Sequence, residues 1–372
     1  MSAINYHSVI PTNLKSAYTE YDNIDFELAF EGRSLNCGSV CIEGELSVLE
    51  GTTTIGSRKI YYDHLVGAHS FFENISVSIR SGSQLVENIN EYPRYVKMSN
   101  AATLDQGDLC NSDNVCELKA PFDAMTTNIM RGEVPVTQST TANNLLKCDP
   151  DFSVRPLISI NSTDAQLSYR ASGDVRVSVN LARNAAVLFG YDADSAANYT
   201  LKNLRCTFTS SIDDGSPLVP IGMKVKQYVK QSIQSNFANI QARVGAVCTG
   251  MTASFQVQGD ETVPHVNNLN LNKIPNLTQT QYMFNDSTNT LVSYIIKNNV
   301  EVIERAISSM NLTGKNSLNP TTLANNNGFL MGLDFDDAID LSRQTFSLQI
   351  NSDISSGIPM IAHMYFHSAT EI

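Results

Sequence analysis

The sequence has few charged residues and no concentration of basic ones. Only 17% of its 372 residues are charged, and Lys and Arg occur as scattered residues or pairs such as Arg58-Lys59. A surface that binds nucleic acid needs clustered Lys and Arg to contact phosphates. The composition therefore argues against such a surface, and we interpret the dispersed net charge of -12 as a contribution to solubility.

Signals for membrane insertion and secretion are also missing. No stretch of 18 apolar residues occurs, which a membrane-spanning helix would need. Residues 1–8 lack the basic region and apolar core of a signal peptide, so we expect none. The cysteines are odd in number and lack a short regular spacing, which favours reduced thiols in a protein made inside a cell. They are Cys37, Cys41, Cys110, Cys116, Cys148, Cys206 and Cys248.

The motifs of common catalytic and metal sites are absent as well. No nucleophile-elbow, phosphate-binding or dinucleotide-binding motif occurs. His363 and His367 share one face of a predicted strand, but the sequence places no further metal ligand beside them. Cys37 and Cys41 lack a second pair at zinc-finger spacing, and Asp334–Asp337 lacks the spacing of a calcium-binding loop. We therefore predict no catalytic, cofactor-binding or metal-binding residues, and a protein that is not an enzyme.

What the chain does contain is period-2 alternation of apolar and polar residues, the pattern of half-buried strands. Similar alternating segments recur about 190 residues apart, a distance far longer than the repeats of solenoids. The repetition therefore indicates two copies of a whole domain. The first copy contains Phe72–Arg80, Leu157–Ser162 and Val175–Leu181, and the second contains Thr249–Val257, Ser347–Ser352 and Pro359–Phe366.

We predict an N-terminal arm over residues 1–20, a first domain over 21–192 and a second over 193–372. About eight short strands in each domain suit a jelly roll, in which two sheets fold face to face and so limit exposed edges. The predicted fold is all-β with minor helices, namely two consecutive eight-stranded jelly rolls.

Other elements follow from local patterns. Apolar residues at helical spacing predict the clearest helix over 289–310, and a short helix interrupted by Pro93 is predicted over 87–98. Residues 223–247 fit a helix or strands, and alternation near their end favours strands. Asn-rich and Thr-rich stretches predict long loops over 99–150 and 259–280.

Five segments carry a resemblance to a known family in their pattern and order. The sequence resembles the double jelly-roll major capsid proteins of icosahedral DNA viruses, the lineage of adenovirus hexon, tectivirus capsids, polinton-like viruses and virophages. The segments span most of the chain, and none is a strict motif. They are Gly32–Leu46, Gly67–Ile75, Leu181–Gly190, Ile233–Ile240 and Leu330–Phe366.

The resemblance implies a structural protein of the virion shell. Three chains would form a homotrimer with six similar edges, a pseudo-hexagonal capsomer that tiles an icosahedral capsid. Its partners would be neighbouring capsomers, penton and minor capsid proteins, and an internal membrane where one lies beneath the shell. The arm would lie at the base, the two long loops would cap the outer face or lock neighbours, and no sequence-specific nucleic-acid binding is expected.

Two other classes of protein stay open. A jelly-roll carbohydrate-binding adhesin or receptor-binding spike protein would need exposed aromatic platforms, yet Trp is absent and most of the 14 Tyr and 15 Phe lie in strand patterns. A β-sandwich glycosidase would need two carboxylates in a cleft, and folding could bring such a pair together although no segment marks one.

Overall fold

The computed structural model of the chain describes residues 4–50, 53–54, 60–80, 82–104, 108–119, 133–136, 151–190, 197–213, 215–234, 237–260, 263, 266–275, 277–285, 290–310, 328–352 and 359–372. Much of the loop predicted over 99–150 lies outside the described residues, as do parts of the loop predicted over 259–280.

Strands dominate both halves of the chain. The strands of the first half are β1 (Asn5–Val9), β2 (Asn23–Leu28), β3 (Arg33–Asn36), β4 (Cys41–Glu50), β5 (Thr53–Thr54), β6 (Ile60–Asp63), β7 (Phe72–Ile79), β8 (Gln84–Ile89), β9 (Glu133–Val136), β10 (Asp151–Val154), β11 (Gln166–Ser168), β12 (Val175–Leu181), β13 (Phe189–Gly190) and β14 (Ala197–Ile212). Those of the second half are β15 (Gly222–Ile233), β16 (Phe237–Ala242), β17 (Val247–Val257), β18 (Gln279–Asn285), β19 (Thr290–Ile296), β20 (Met331–Asp340), β21 (Thr345–Asn351) and β22 (Met360–Glu371).

Short helices connect the strands. They are α1 (Tyr92–Thr103), α2 (Ser112–Cys116), α3 (Tyr169–Ser172), α4 (Asn184–Val187) and α5 (Asn299–Ser309), with 3-10 turns at Gly67–Phe71, Asp108–Cys110 and Ser159–Ser162. None of the helices in the described ranges has the length and apolar character needed to cross a bilayer.

The second half is a sandwich of two four-stranded antiparallel sheets. One sheet has the order β15-β22-β17-β20 and the other has the order β16-β21-β18-β19. Successive strands therefore alternate between the sheets, except where β18 and β19 form a hairpin. This is the strand arrangement of an eight-stranded jelly roll.

The first half repeats this plan with additions. Its sheet β2-β12-β7-β8 corresponds in strand order to β15-β22-β17-β20 of the second half. It faces a larger sheet with the order β10-β4-β14-β3-β11, to which β1 adds beside β14 and β5 beside β4. Strands β13, β6 and β9 form a small separate sheet.

Inward side chains alternate along the strands of each sandwich, and the buried apolar residues of both halves belong to one hydrophobic cluster. In β12, Val175, Val177 and Val179 are buried while the residues between them are partly exposed. In the second half, the ring of Phe284 meets that of Phe335 edge-on at 4.8 Å. Burying a side chain of this size stabilises the fold by about 1.5–3 kcal/mol.

The internal repeat is only partly a structural repeat. Phe72–Arg80 and Thr249–Val257 become the corresponding strands β7 and β17, and Val175–Leu181 corresponds to β22. The prediction that Leu157–Ser162 matches Ser347–Ser352 is wrong, because the first segment forms a 3-10 turn and the second forms β21. In the turn, Glu87 binds the Ser159 backbone N–H, which removes that donor from any sheet.

Two helix predictions need correction. The helix predicted over 289–310 begins only at Asn299, because the β-branched and aromatic stretch before it pairs with β18 as strand β19. The Asn298 side chain accepts a hydrogen bond from the Val300 N–H and caps the helix. The helix predicted over 87–98 starts at Tyr92, where Pro93 occupies the first turn and does not interrupt it. The strands favoured over 223–247 are confirmed as β15 and β16.

The predicted domain boundary at 192/193 stays a prediction. Strand β14 follows it in the sequence but pairs with β4 and β3 of the first half, which favours a boundary between residues 212 and 222. Within the predicted arm, β1 pairs with β14 and Tyr18 bridges to Leu201. The described part of the arm therefore lies along the first half.

Candidate functional site

Strand β22 is buried on both faces along residues 360–366. One face points into the sandwich core, where the rings of Phe366 and Phe346 lie 5.2 Å apart. The opposite face points towards the first half of the chain, where the rings of Tyr365 and Tyr95 lie 5.2 Å apart. The two sandwiches therefore share a buried contact surface along this strand.

We define the seam as the contact between residues 84–103 of the first half and β15, β22 and residues 267–270 of the second half. The Tyr365 hydroxyl crosses it and donates to the backbone carbonyls of Glu91 at 2.8 Å and Asn90 at 3.3 Å. A buried tyrosine with its hydroxyl satisfied in this way fixes position as well as adding apolar area.

Glu87 on β8 joins the seam strand β15 to the 3-10 turn at Ser159–Ser162. Its carboxylate accepts from the backbone N–H of Ser159 at 2.6 Å and of Lys226 at 2.8 Å, and it lies 3.5 Å from the Lys226 ammonium. Lys226 also donates to the Leu157 carbonyl at 3.1 Å and lies over the ring of Tyr95. Burial alone would lower the pKa of Lys226, but the Glu87 carboxylate, its hydrogen bond and Tyr95 together outweigh burial, so the pKa is raised. The lysine therefore remains a buried cation.

Arg94 extends the seam from helix α1. Its guanidinium is 1% exposed and donates to the backbone carbonyls of Asn268 at 2.5 Å and Asn270 at 3.3 Å. The Asn268 side chain in turn donates to the Ala185 carbonyl of the first half at 2.7 Å. Backbone carbonyls are thus the acceptors that hold the 267–270 segment against α1.

A second buried ion pair anchors the same segment. Asp63 accepts from the Lys97 ammonium at 2.5 Å and from the Asn267 side-chain amide at 2.8 Å. Burial alone would raise the pKa of Asp63, but the Lys97 and His64 charges and the hydrogen bonds from Lys97 and Asn267 together outweigh burial and hold the pKa below its usual value. A buried pair satisfied by further hydrogen bonds specifies geometry more than it adds stability.

The two strand histidines lie on one face of β22, as predicted, and both belong to the seam side. His363 lies 2.8 Å from the Tyr228 hydroxyl and 3.1 Å from the Gln256 amide oxygen, and His367 lies 2.7 Å from the Thr252 hydroxyl. Burial lowers the pKa of His363 well below its usual value, and burial with the Lys226 charge lowers the pKa of His367 to about 3. Both imidazoles are therefore neutral and hydrogen-bonded to side chains.

The other candidate metal ligands lie just after β3, at the start of β4 and on β20. Cys37 is buried, which raises the pKa of its thiol to about 11, and Cys41 is partly buried. Asp334 and its acidic neighbours belong to strand β20. Within the described ranges, no group of three or more His, Cys, Asp or Glu side chains could hold a metal ion. Cys148 lies outside those ranges.

One further polar cluster has the composition of a catalytic site. His69 lies 2.7 Å from the Tyr92 hydroxyl and 3.2 Å from the Glu117 carboxylate, which also pairs with Lys119. His69 and Tyr92 are almost fully buried, and the Tyr92 hydroxyl also accepts the Leu157 N–H. A substrate has no access to these atoms, so the cluster connects the 3-10 turn to α1.

Apolar side chains remain exposed along specific segments. Tyr6 on β1 is 85% exposed and Val219, between β14 and β15, is 75% exposed. Exposed apolar residues grouped in this way are typical of surfaces that contact other proteins. Others with large exposed fractions are Ile4, Ile10, Leu14, Tyr21, Leu85, Ile212, Leu218, Phe237, Val247 and Ile295.

Sequence reasoning missed the seam. Its polar partners lie far apart in the chain, as Glu87 and Lys226 do, and no spacing rule connects them. One signal was present: Met360–Phe366 is a nearly continuous apolar run, which indicates a strand covered on both faces.

No protein-family model and no curated protein sequence matches the chain. Solved structures do match it along its full length. The Faustovirus major capsid protein has a TM-score of 0.62 at 9% identity, with 100% of this chain and 91% of that chain covered. The PBCV-1 virus capsid protein has a TM-score of 0.58 at 11% identity, with coverage of 100% and 95%. The mavirus major capsid protein has a TM-score of 0.52 at 6% identity, with coverage of 98% and 86%.

At such low identities the likeness establishes the fold. All three structures are of viral capsid proteins, and the sheet orders described above agree with two jelly rolls. The prediction of two consecutive jelly rolls is confirmed.

Proposed function

We propose that this chain, which has the double jelly-roll fold of viral major capsid proteins, is itself a major capsid protein. Three copies would form a homotrimeric, pseudo-hexagonal capsomer, and many capsomers would tile an icosahedral virion shell. The observation that carries the proposal is the full-length likeness to capsid structures, with both rolls present in one chain. Fold likeness alone is an analogy for function, so the chain's own surface must also suit assembly.

The seam supports this role by fixing one roll against the other. Two similar blocks with a constant relative orientation can present two similar outer edges, and three copies then present six. A hinge between the rolls would let their relative orientation vary, and the outer edges would then no longer keep a constant arrangement. The buried contacts of Glu87, Arg94 and Asp63 across the halves oppose such a hinge, because each would lose charged hydrogen bonds if the rolls separated.

The exposed apolar side chains support contacts with further protein. Strand β1 ends its sheet, so its outer edge is unpaired within the described part of the chain; Tyr6 on this strand and Ile10 just after it are exposed. An edge of this kind favours pairing or coverage by another chain. We assign such segments to contacts with other copies, with penton and minor capsid proteins, or with an internal membrane beneath the shell.

The polar clusters support a structural rather than a catalytic role. The charged side chains at the seam and those of the His69 cluster are largely buried, and each group is paired internally. These side chains therefore fix packing and orientation. The dispersed net charge of -12 fits a shell that makes no sequence-specific contact with nucleic acid.

The test is the native mass of the purified chain by light scattering, followed by electron microscopy of the particles. We expect a mass about three times the 40.7 kDa of one chain, and images with a six-sided outline. A monodisperse monomer at micromolar concentration would contradict the proposal. A monomer that also bound glycans on an array would favour the adhesin instead.

A further inference from the structure

Three buried polar side chains meet at one oxygen atom beside the seam. Lys97 on α1 and Asn267 of the second half both donate to Oδ2 of Asp63, at 2.5 Å and 2.8 Å. The exposed fractions of the residues are 1% for Asp63, 5% for Lys97 and 6% for Asn267. A primary amine, a carboxylate and a carboxamide are therefore held together away from water.

Backbone hydrogen bonds orient the carboxamide and the carboxylate. The Asn267 amide nitrogen faces Asp63, and its side-chain oxygen accepts the Leu269 N–H at 3.0 Å. The second carboxylate oxygen of Asp63 accepts the Leu65 N–H at 3.0 Å. An N–H donor at the amide oxygen polarises the carbonyl and stabilises negative charge that develops on that oxygen. The arrangement therefore favours attack at the Asn267 carbonyl carbon.

The Lys97 amine lies close to that carbon. The Lys97 and Asn267 nitrogens share one acceptor atom, and the carbonyl carbon is one bond beyond the Asn267 nitrogen. Reacting atoms must approach to about 3–3.5 Å, and rotation of the two side chains about their common acceptor can supply that approach. The exclusion of water also suppresses hydrolysis of the amide, which is the competing reaction.

The other two buried lysines of the described ranges lack this combination. Lys226 pairs with Glu87, but its other hydrogen-bond acceptor is a backbone carbonyl. Lys119 pairs with Glu117 and donates to the Asn114 side chain. That amide is only partly buried, and its nitrogen donates to a backbone carbonyl instead of the carboxylate. The shared carboxylate is therefore specific to Lys97.

We propose that Lys97 and Asn267 form an isopeptide bond, with Asp63 as the catalytic acid and base, and that this bond joins the two rolls covalently. Lys97 passes a proton to Asp63, and its neutral nitrogen attacks the Asn267 carbonyl carbon. A new C–N bond forms while the carbonyl electron pair moves onto the oxygen held by the Leu269 N–H. When that pair returns, the original C–N bond of the amide breaks. Asp63 gives its proton to the departing nitrogen, which leaves as ammonia, and takes a second proton from the Lys97 nitrogen.

The change in charge favours the product in a buried site. The starting pair carries one positive and one negative charge, whereas the secondary amide, the ammonia and the protonated Asp63 are all neutral. Buried charges cost more than buried neutral groups with hydrogen bonds, and escape of ammonia into solvent prevents reversal. The first proton transfer is unfavourable because the resting pair is ionic, so the reaction is slow, but each chain undergoes it only once. The proposal does not depend on the capsid role, since all three residues belong to one chain.

Mass spectrometry of the denatured full-length protein tests the proposal. We expect a mass lower than the sequence requires by one ammonia molecule. Trypsin should release one branched peptide that joins Lys97 to Asn267, without cleavage after Lys97, while cleavage after Lys119 and Lys226 serves as the internal control. The full mass with a free Lys97 would overturn the proposal, as would an ammonia loss that maps to a succinimide elsewhere. Loss of one water molecule, with Lys97 joined to Asp63, would overturn the assigned partner.

Matched variants test the role of each group. Lys97→Arg keeps the positive charge but replaces the primary amine by a weakly nucleophilic guanidinium, and Asp63→Asn keeps the shape but cannot carry the proton. Both should retain the full mass and give only linear peptides. Lys119→Arg, the control at another buried lysine, should still lose ammonia. A cross-link that persists in Lys97→Arg or Asp63→Asn, or that is lost in a folded Lys119→Arg protein, would refute the assignment. The wild-type mass decides whether the bond exists even where a variant fails to fold.

Discussion

Replacing Glu87 by Gln tests whether the seam depends on a buried charge. Glu87 is 3% exposed and accepts from two backbone N–H groups while it faces the Lys226 ammonium. Gln keeps nearly the same shape, but only one of its two terminal groups can accept a hydrogen bond. The variant therefore loses one acceptor and leaves the Lys226 charge buried without its counterion.

The size of the effect follows from these contacts. Removing one partner of a buried ion pair costs about 3–5 kcal/mol. Lys226 keeps the Leu157 carbonyl and the face of Tyr95, so we expect the lower end, about 3 kcal/mol. Unfolding entropy of about 2.1 cal/mol/K per residue over 372 residues converts this loss into a fall in Tm of about 4 °C.

The chain contains a matched control for this substitution. Glu91 and Lys230 also pair across the seam at 3.5 Å, but their side chains are 33% and 45% exposed. Exposed pairs contribute about 0–1 kcal/mol, so Glu91→Gln should lower Tm by no more than about 1 °C. Adding Lys226→Met to Glu87→Gln removes the buried ammonium that has lost its counterion, and should restore part of the lost stability.

Differential scanning calorimetry of the four proteins measures these differences. A fall in Tm for Glu87→Gln no larger than that for Glu91→Gln would refute the reasoning, because burial would then have no effect on how much an ion pair contributes to stability. A double variant less stable than Glu87→Gln would show that Lys226 contributes through its other contacts alone.

Three other changes test separate features. Gly67→Ala should destabilise the protein by about 3 kcal/mol in urea unfolding, because Gly67 has a φ of +57° and a Cβ would lie 2.2 Å from the Glu117 carbonyl. The control Gly245→Ala has open space around it and should change stability by less than about 0.5 kcal/mol. Equal effects of the two substitutions would contradict this reasoning. Tyr365→Phe removes the hydroxyl bonded to Asn90 and Glu91 and should cost about 1 kcal/mol in the same assay; an unchanged midpoint would exclude a role for that hydroxyl. His367 has a folded pKa of about 3, below its usual 6.5, so its contribution is present above pH 6.5 and is lost as pH falls. Between pH 7 and pH 5 it should account for about 2 kcal/mol of lost stability, which His367→Gln should not lose, whereas equal losses in both proteins would contradict the assignment.

The sequence predicted those features that depend on local periodicity. Alternation identified β12 and β17 because each carries apolar side chains on one face and polar ones on the other, although residues 250–256 of β17 are buried on both faces. It failed for residues 290–296, where apolar spacing fits a helix but a strand partner at β18 decides the structure. It also failed for Leu157–Ser162, where a side chain from elsewhere takes a backbone donor.

The seam could not be predicted because it depends on contacts between distant residues. Arg94 and Asn268, or Glu87 and Lys226, meet only after both rolls have folded. The position of His363 and His367 on one face was predictable, but their hydrogen-bond partners, such as Tyr228, were not. The exposed or buried state of a charge likewise depends on the complete fold.

The position of β22 within its sheet affects the order of events during synthesis. This strand follows all other described strands in the sequence, yet it lies between β15 and β17 and forms one side of the seam. A nascent chain that has not yet emerged beyond residue 360 can complete the first roll but neither the second roll nor the seam. Since domains fold as units, with the N-terminal one first, a ribosome-bound or truncated chain lacks the finished two-roll unit. Until β22 is added, the edges of β15 and β17 that it covers stay unpaired, and edges of this kind favour contact with other chains.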